Sequence, residues 1–365
     1  MKIQLTTATP LHIGNGRSLS PYTDFVVGND GKVYLIDSQK LNDQLVAVGD
    51  EAVDEYVSQI MGCQQPGGVF SLKQFLEKYK IDYRQIAKFV WETHAPIQNE
   101  TIQETIKSTS QPYIPGSSIK GAIRTALLYF HRKEEGYSWE AAIKDIFGKG
   151  VKKSPNGEDI FGRYQNDVLR HLHVSDSSPL PSEEVGLVKT VRYNLVKKEA
   201  SIPVTKEVIP ENKILNFRLQ CKAEKIHQLP PRFNYLYRDK DHTGERQILS
   251  LVNRFYLQLL EEELAVLKRT QSKQLDPIKR LYEQLFKTAK EYELEQSGAV
   301  IRLGSGKTFL ENTIISLFSY EERRQLIKKL KKGGGPYFPK TRAVIDNGVI
   351  YEFVLGWAYL EPVMS

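Results

Sequence analysis

The chain has 365 residues, with 51 lysines and arginines against 44 aspartates and glutamates and a formal net charge of +7. That length suits two domains with a core in each, and the basic excess favours a polyanionic partner. Cys63 and Cys221 lie far apart without CxxC spacing, so neither a disulfide framework nor a cysteine zinc site is indicated, and no apolar run of about 18 residues offers a membrane span.

With neither a span nor an apolar leader, a reducing cytoplasm is the expected setting. Lys2 to Leu5 alternates as a strand and is broken by Pro10 and by the glycines of Leu11-His12-Ile13-Gly14-Asn15-Gly16-Arg17. Asp24–Val27 and Lys32–Ile36 flank a Gly28-Asn29-Asp30-Gly31 turn and predict an antiparallel hairpin. Asp37 or Ser38 then caps a helix, and helical patterns dominate from about Asp50 to Ile106 with a break at Gln65-Pro66-Gly67-Gly68.

Pro115-Gly116-Ser117-Ser118-Ile119-Lys120-Gly121-Ala122-Ile123-Arg124 joins a Gly/Ser turn to a basic amphipathic helix. Ser117 or Ser118 is placed to cap it, and the free N–H groups of its first turn are candidate anion ligands. Ile119, Ile123, Ala126, Leu127 and Phe130 form its buried stripe, while Lys120 and Arg124 share a neighbouring face one turn apart. Gly121 costs about 1 kcal/mol of helix propensity against alanine, which points to close packing against a backbone or a ligand. The same pattern also fits an ordinary capped surface helix.

A helix over Ser138–Phe147, a basic linker over Lys149–Gly157 and a strand over Leu172–Asp176 follow. Val185–Val196, Val204–Ile209 and Ile214–Cys221 are rich in β-branched residues and predict a second sheet. Ile248–Lys268 and Asp276–Glu295 are long amphipathic helices, and strands near Arg342–Ile345 and Ile350–Leu355 end the order. The expected fold is α+β, with two ferredoxin-like, split βαβ domains carrying helical insertions, over residues 1–180 and 181–365.

Arg302-Leu303-Gly304-Ser305-Gly306-Lys307-Thr308 lacks the first glycine of a phosphate-binding P-loop, since Ile301 stands in its place. It remains a second glycine turn, expected to feed a helix over Phe309–Phe318, and it repeats the logic of the first. Two basic, aromatic stretches, Lys328–Arg342 and Pro230–Arg238, suit backbone contact and base stacking equally as well as packed or solvated loops. His171 and His173 show no metal-ligand spacing, and Asp24, Asp37 and Asp176 are more readily turn formers or caps than catalytic groups. No cofactor and no metal are expected.

The order of these motifs, with Thr341-Arg342 before Leu355-Gly356-Trp357 at the end, resembles the RAMP superfamily of CRISPR systems. Within it the chain looks most like the subunit that caps the 3′ end of the guide RNA in type III-A Csm effectors. The resemblance implies RRM-related domains, contact with CRISPR RNA, packing against the neighbouring backbone subunit, and recruitment of separate nucleases for 3′ trimming. It implies no nuclease activity of the chain's own. Residues expected to line or shape the RNA path are His12, Arg17, Gly116, Ser117, Ser118, Lys120, Arg124, Arg302, Gly304, Ser305, Gly306, Lys307, Lys340 and Arg342. The aromatic signatures of ordinary RRMs are not evident. Two rivals stay open: a metal-independent endoribonuclease using His12, and a protein scaffold that binds no RNA.

Overall fold

The computed structural model describes residues 1–63, 70–93, 97, 100–147, 157–329, 339–348 and 350–363. Its first large sheet has five antiparallel strands in the order Ala299–Arg302, Trp357–Pro362, Lys2–Thr7, Ile214–Cys221 and Leu172–Val174. The alternation seen in Lys2–Leu5 places Ile3 and Leu5 in the core at 0% exposure, opposite Phe217 and Leu215. Its second sheet orders Tyr351–Val354, Thr341–Asp346, Gly186–Asn194, Val204–Val208, Ile102–Thr105 and Gly14–Leu19, with Glu199–Ala200 paired to Gly186–Asn194.

A small sheet, Phe25–Val27, Val33–Ile36 and Ala87–Trp91, begins with the expected hairpin. It packs with α1 (Ser38–Val48), α2 (Asp50–Cys63) and α3 (Leu72–Lys78) around a core of its own that includes Tyr34, Leu41, Phe75 and Leu76. Asp37 caps α1, its carboxylate accepting from Gln39 and Lys40 N–H, and Ser71 caps α3. The expected helical stretch from Asp50 to Ile106 therefore ends early. Ala87–Trp91 pairs with Val33–Ile36, and Ile102–Thr105 pairs in parallel with Val204–Val208, because alternating aromatic and β-branched residues outweigh helix propensity there.

Helix α4 (Gly116–Glu134) buries the predicted stripe, and α5 (Trp139–Phe147) and the short α6 (Glu158–Phe161) follow it. Two long helices, α7 (Thr243–Arg269) and α8 (Asp276–Glu295), pack on each other and on the first sheet. Buried Asn253 fixes that packing: its amide donates to Ala289 O at 2.8 Å and its oxygen accepts from Val300 N–H at 3.1 Å. Helix α9 (Tyr320–Lys329) closes the described helices.

Strand Lys2–Thr7, α4, strands Leu172–Val174 and Ile214–Cys221, α7 and strand Trp357–Pro362 together give a βαββαβ sequence with sheet order 4-1-3-2, the ferredoxin-like arrangement. That unit runs from one end of the chain to the other. The expected boundary between residues 180 and 181 does not separate the sheets, since each large sheet takes strands from both sides of it. Ile214–Cys221 joins Lys2–Thr7 rather than the strands just before it. The expected helix over Phe309–Phe318 is absent except for a turn at Ile315–Leu317, because Thr308, Asn312 and Thr313 side chains bond nearby backbone groups and compete with a helix.

Candidate nucleic-acid interface

The loop after the first strand and the glycine turn at Gly304 meet beside Gly356. Ser305 N–H donates to His12 O at 2.9 Å, Leu303 N–H to Gly356 O at 2.8 Å, and Gly356 N–H to Pro10 O at 2.9 Å. A Cβ on Gly304, at φ +66°, would stand 2.1 Å from His12 O, and one on Gly306 would stand 1.9 Å from Leu355 O. These glycines admit protein backbone, so their role in an RNA path is corrected to shaping the loops. His12 is 3% exposed, with its Nδ1–H donating to Glu207 O at 2.7 Å. Burial holds its pKa down to about 4, with Lys206 adding to the effect and the Glu207 carbonyl opposing it. The imidazole is thus neutral near pH 7 and turned inward, a poor RNA contact.

Two arginines assigned to RNA are structural. Arg302 is 2% exposed, pairs with Glu311 at 2.5 Å, donates to Leu355 O at 3.1 Å and lies over Trp357. Arg342 is 3% exposed and is gripped by both carboxylate oxygens of Glu263 on α7. Sequence spacing could not separate these buried cations from surface ones, since each partner lies on another element.

At α4 the caps differ from expectation as well. Pro115 occupies the cap position without a side-chain bond, and Gly116 N–H is taken by Asp176 Oδ1 at 2.8 Å. Neither Ser117 nor Ser118 caps, and the first turn already holds a carboxylate where a phosphate was expected. Gly116 has to be glycine, because its Cβ would sit 2.3 Å from Val174 O. Gly121, by contrast, faces open space, so none of the described residues accounts for it. Lys120 Nζ donates to Leu172 O at 2.8 Å, and Arg124 pairs with Asp167 at 2.6 Å over the Phe161 ring. Exposed His173 and Lys222 gather near Lys120; burial lowers the His173 pKa first, then Lys222 and Lys120.

The second sheet presents cations that the sequence reading missed. Arg192 and Lys206 lie on the same face of adjacent strands, as the registers Arg192 to Ala343, Val188 to Lys206 and Lys206 to Gln103 show. Burial lowers the Lys206 pKa, and Arg192 lowers it further. Arg192 and Lys307 line one cavity of about 270 Å³ with Thr308, Phe309 and Ala343. Lys307 is half-buried and its pKa is lowered by burial, against the pull of Glu311. Alternation in Gly186–Asn194 was the available signal, since it sets Arg192 opposite the buried Val191 and Tyr193.

Phe309 and Asn312 line this cavity and also a larger one that contains Arg124. The Lys307 loop and the Arg124 face of α4, far apart in sequence, are thereby brought to one surface. Exposed Ser305 lies in the Lys307 loop, exposed Arg17 on the Gly14–Leu19 strand, and half-buried Lys340 leads into Thr341–Asp346. Of the basic run Lys328–Arg342, residues 330–338 lie outside the described residues, as does most of the expected linker at 149–157. The Pro230–Arg238 stretch is packed, with Phe233 and Leu236 fully buried and Arg232 paired to Glu135. Among the described residues no cluster of three or more His, Cys, Asp or Glu could hold a metal, and no helix is long and apolar enough to cross a membrane.

An α+β chain with a ferredoxin-like sheet and a second sheet that sets Arg192 and Lys206 on one face is the class of protein this describes, and the chain belongs to the RAMP superfamily, whose pattern matches residues 4–309. It is 25% identical over 344 residues to the CRISPR system Cms protein Csm5 of Methanocaldococcus jannaschii, covering 91% of this chain and 77% of that protein. It is 27% identical over 256 residues to the Csm5 protein of Streptococcus thermophilus, covering 65% of this chain and 70% of the other. A chain of a Csm–crRNA–target RNA ternary complex from a type III-A CRISPR-Cas system shares the fold, with a TM-score of 0.70, 24% identity, and 99% and 100% of the two chains covered. The crystal structure of T. onnurineus Csm5 shares it with a TM-score of 0.66, 21% identity, and 97% and 99% covered.

Proposed function

We propose that this chain is a non-catalytic, guide-RNA-binding subunit of a type III-A Csm effector, seated at the 3′ end of the CRISPR RNA beside the backbone RAMP subunit. The observation that carries the reading is the open face where Arg192, Lys206 and Lys307 gather. A phosphate backbone laid across these cations relieves their mutual repulsion and favours the charged form of two lysines that burial disfavours. The family and the Csm5 names of the relatives support the same assignment. Sequence-independent binding follows, because a sheet face of lysine and arginine touches phosphate rather than base edges. Nucleases that trim the guide belong to this proposal as recruited partners.

No observation favours the nuclease rival, because His12 is buried, neutral and engaged with a backbone carbonyl. The test is to co-express the chain with its genomic neighbours, purify the assembly through this subunit, and sequence the bound RNA with its 3′ ends. Uniform repeat-derived guides are expected, and an assembly free of RNA would overturn the proposal. Arg192→Ala with Lys206→Ala should weaken RNA retention and reduce its salt slope by about one unit for each phosphate no longer neutralised. Lys120→Ala with Arg124→Ala should change retention and slope less, because Leu172 O and Asp167 already engage those two side chains.

A further inference from the structure

The larger cavity, about 780 Å³, lies between α4, α5 and the 309–318 segment, and its chemistry differs from the cationic face beside it. Its floor is apolar, with Leu128, Ala142, Ile315 and Phe318. Its two arginines are neutralised where they stand: Arg124 by Asp167 at 2.6 Å, and Arg132 by both oxygens of Asp159 at 2.8 Å. Such a groove disfavours a phosphate but suits a flat, uncharged ring. At its mouth Tyr164 is 97% exposed, an aromatic side chain with its faces in solvent.

The rim is polar. Thr125 and Thr313, whose hydroxyls donate to Gly121 O at 3.1 Å and Phe309 O at 2.8 Å, and Glu158 supply oxygens to the lining, and Asn312 adds an amide that carries both a donor and an acceptor. A rim that carries donors and acceptors suits the polar edge of a base of either kind. We propose that this groove receives an unstacked nucleobase of the bound strand and that Tyr164 stacks on it. The inference rests on the RNA-binding reading above, and it deepens it: phosphates run along Arg192 and Lys307, while bases turn past Phe309 and Asn312 into the groove. Those two residues line both cavities, so the strand has a continuous path.

The test uses the full-length chain and three probes of equal length: oligoadenylate, oligouridylate and an abasic ribose-phosphate oligomer. Adenylate should bind about tenfold tighter than the abasic oligomer, the scale of one base stacked on an aromatic ring, with uridylate between. Tyr164→Ala should bring that ratio close to one, Tyr164→Phe should keep it, and Arg192→Ala with Lys206→Ala should weaken all three probes together. Equal binding of base-bearing and abasic probes by the unaltered chain would overturn the groove while leaving the phosphate-binding face standing. A Tyr164→Ala chain that keeps the ratio but loses a protein from the purified assembly would assign the groove to a protein neighbour instead. Failure of the unaltered chain to bind any probe would sink the RNA-binding reading, and the groove with it.

Discussion

A buried arginine and an exposed one are the same letter in a sequence, and Arg302 shows what decides between them. Its guanidinium is 2% exposed and bonded to Glu311 and Leu355 O, so removing it leaves a carboxylate inside the protein without its counter-charge. Arg302→Met should therefore cost about 3–5 kcal/mol of folding stability, read as a shifted urea midpoint. A normal midpoint with impaired RNA retention would return Arg302 to the surface role read from its motif. His12 makes a prediction of the same kind in pH. Its pKa is about 4 in the folded chain against 6.5 ordinarily, so between those values the unfolded chain binds the extra proton and stability falls as pH drops. Moving from pH 7.5 to pH 5 should cost about 2 kcal/mol through this group. His12→Gln, which keeps a donor for Glu207 O, should remove that part of the slope, and an unchanged slope would show that the imidazole is not buried in neutral form.

At the scale of elements, glycine separates what the sequence made legible from what it did not. The two glycine motifs stood out at once, and both do sit beside the candidate surface. Their purpose was hidden, because the groups that demand glycine are carbonyls from remote parts of the chain: Val174 O for Gly116, His12 O for Gly304 and Leu355 O for Gly306. Alanine at Gly304 or Gly306 should destabilise the protein by more than about 2 kcal/mol, through overpacking at both sites and the left-handed backbone at Gly304. Gly121 predicts the opposite sign. Alanine there meets open space and should stabilise α4 by about 1 kcal/mol in thermal unfolding of the isolated chain. If the same variant weakens RNA retention or assembly, a ligand or partner lies on that helix face; full retention assigns Gly121 no role there. The strands at Ala87–Trp91 and Ile102–Thr105 and the missing helix after Thr308 were misread for a related reason, since pairing partners and local side-chain bonds outweigh a weak periodic signal.

On the scale of the whole molecule, local pattern located the long helices α4, α7 and α8, yet it missed the strands Gly14–Leu19, Ala299–Arg302 and Trp357–Pro362 and could not say which strands pair. Lys2 faces Arg218, and Ile3 faces Pro362 on the other side, so the first strand is central only once the last has arrived. A division at residue 180 reads naturally from the change in pattern there, but it severs the ferredoxin-like sheet between its second and third strands in chain order. Residues 1–180 expressed alone should then show no cooperative unfolding transition for that sheet, because Ile3 and Leu5 lack both neighbouring strands and the α7 and α8 cover. The inserted unit formed by the small sheet and α1 to α3 has its own core and is the part of that fragment expected to keep protected amides. Mixing the fragment with residues 181–365 should restore protection in Lys2–Thr7, since each half supplies the strands the other is missing. Hydrogen exchange distinguishes the outcomes: strong protection of Lys2–Thr7 in the isolated fragment would mean two sequential domains after all, whereas protection only on mixing would establish one interleaved fold.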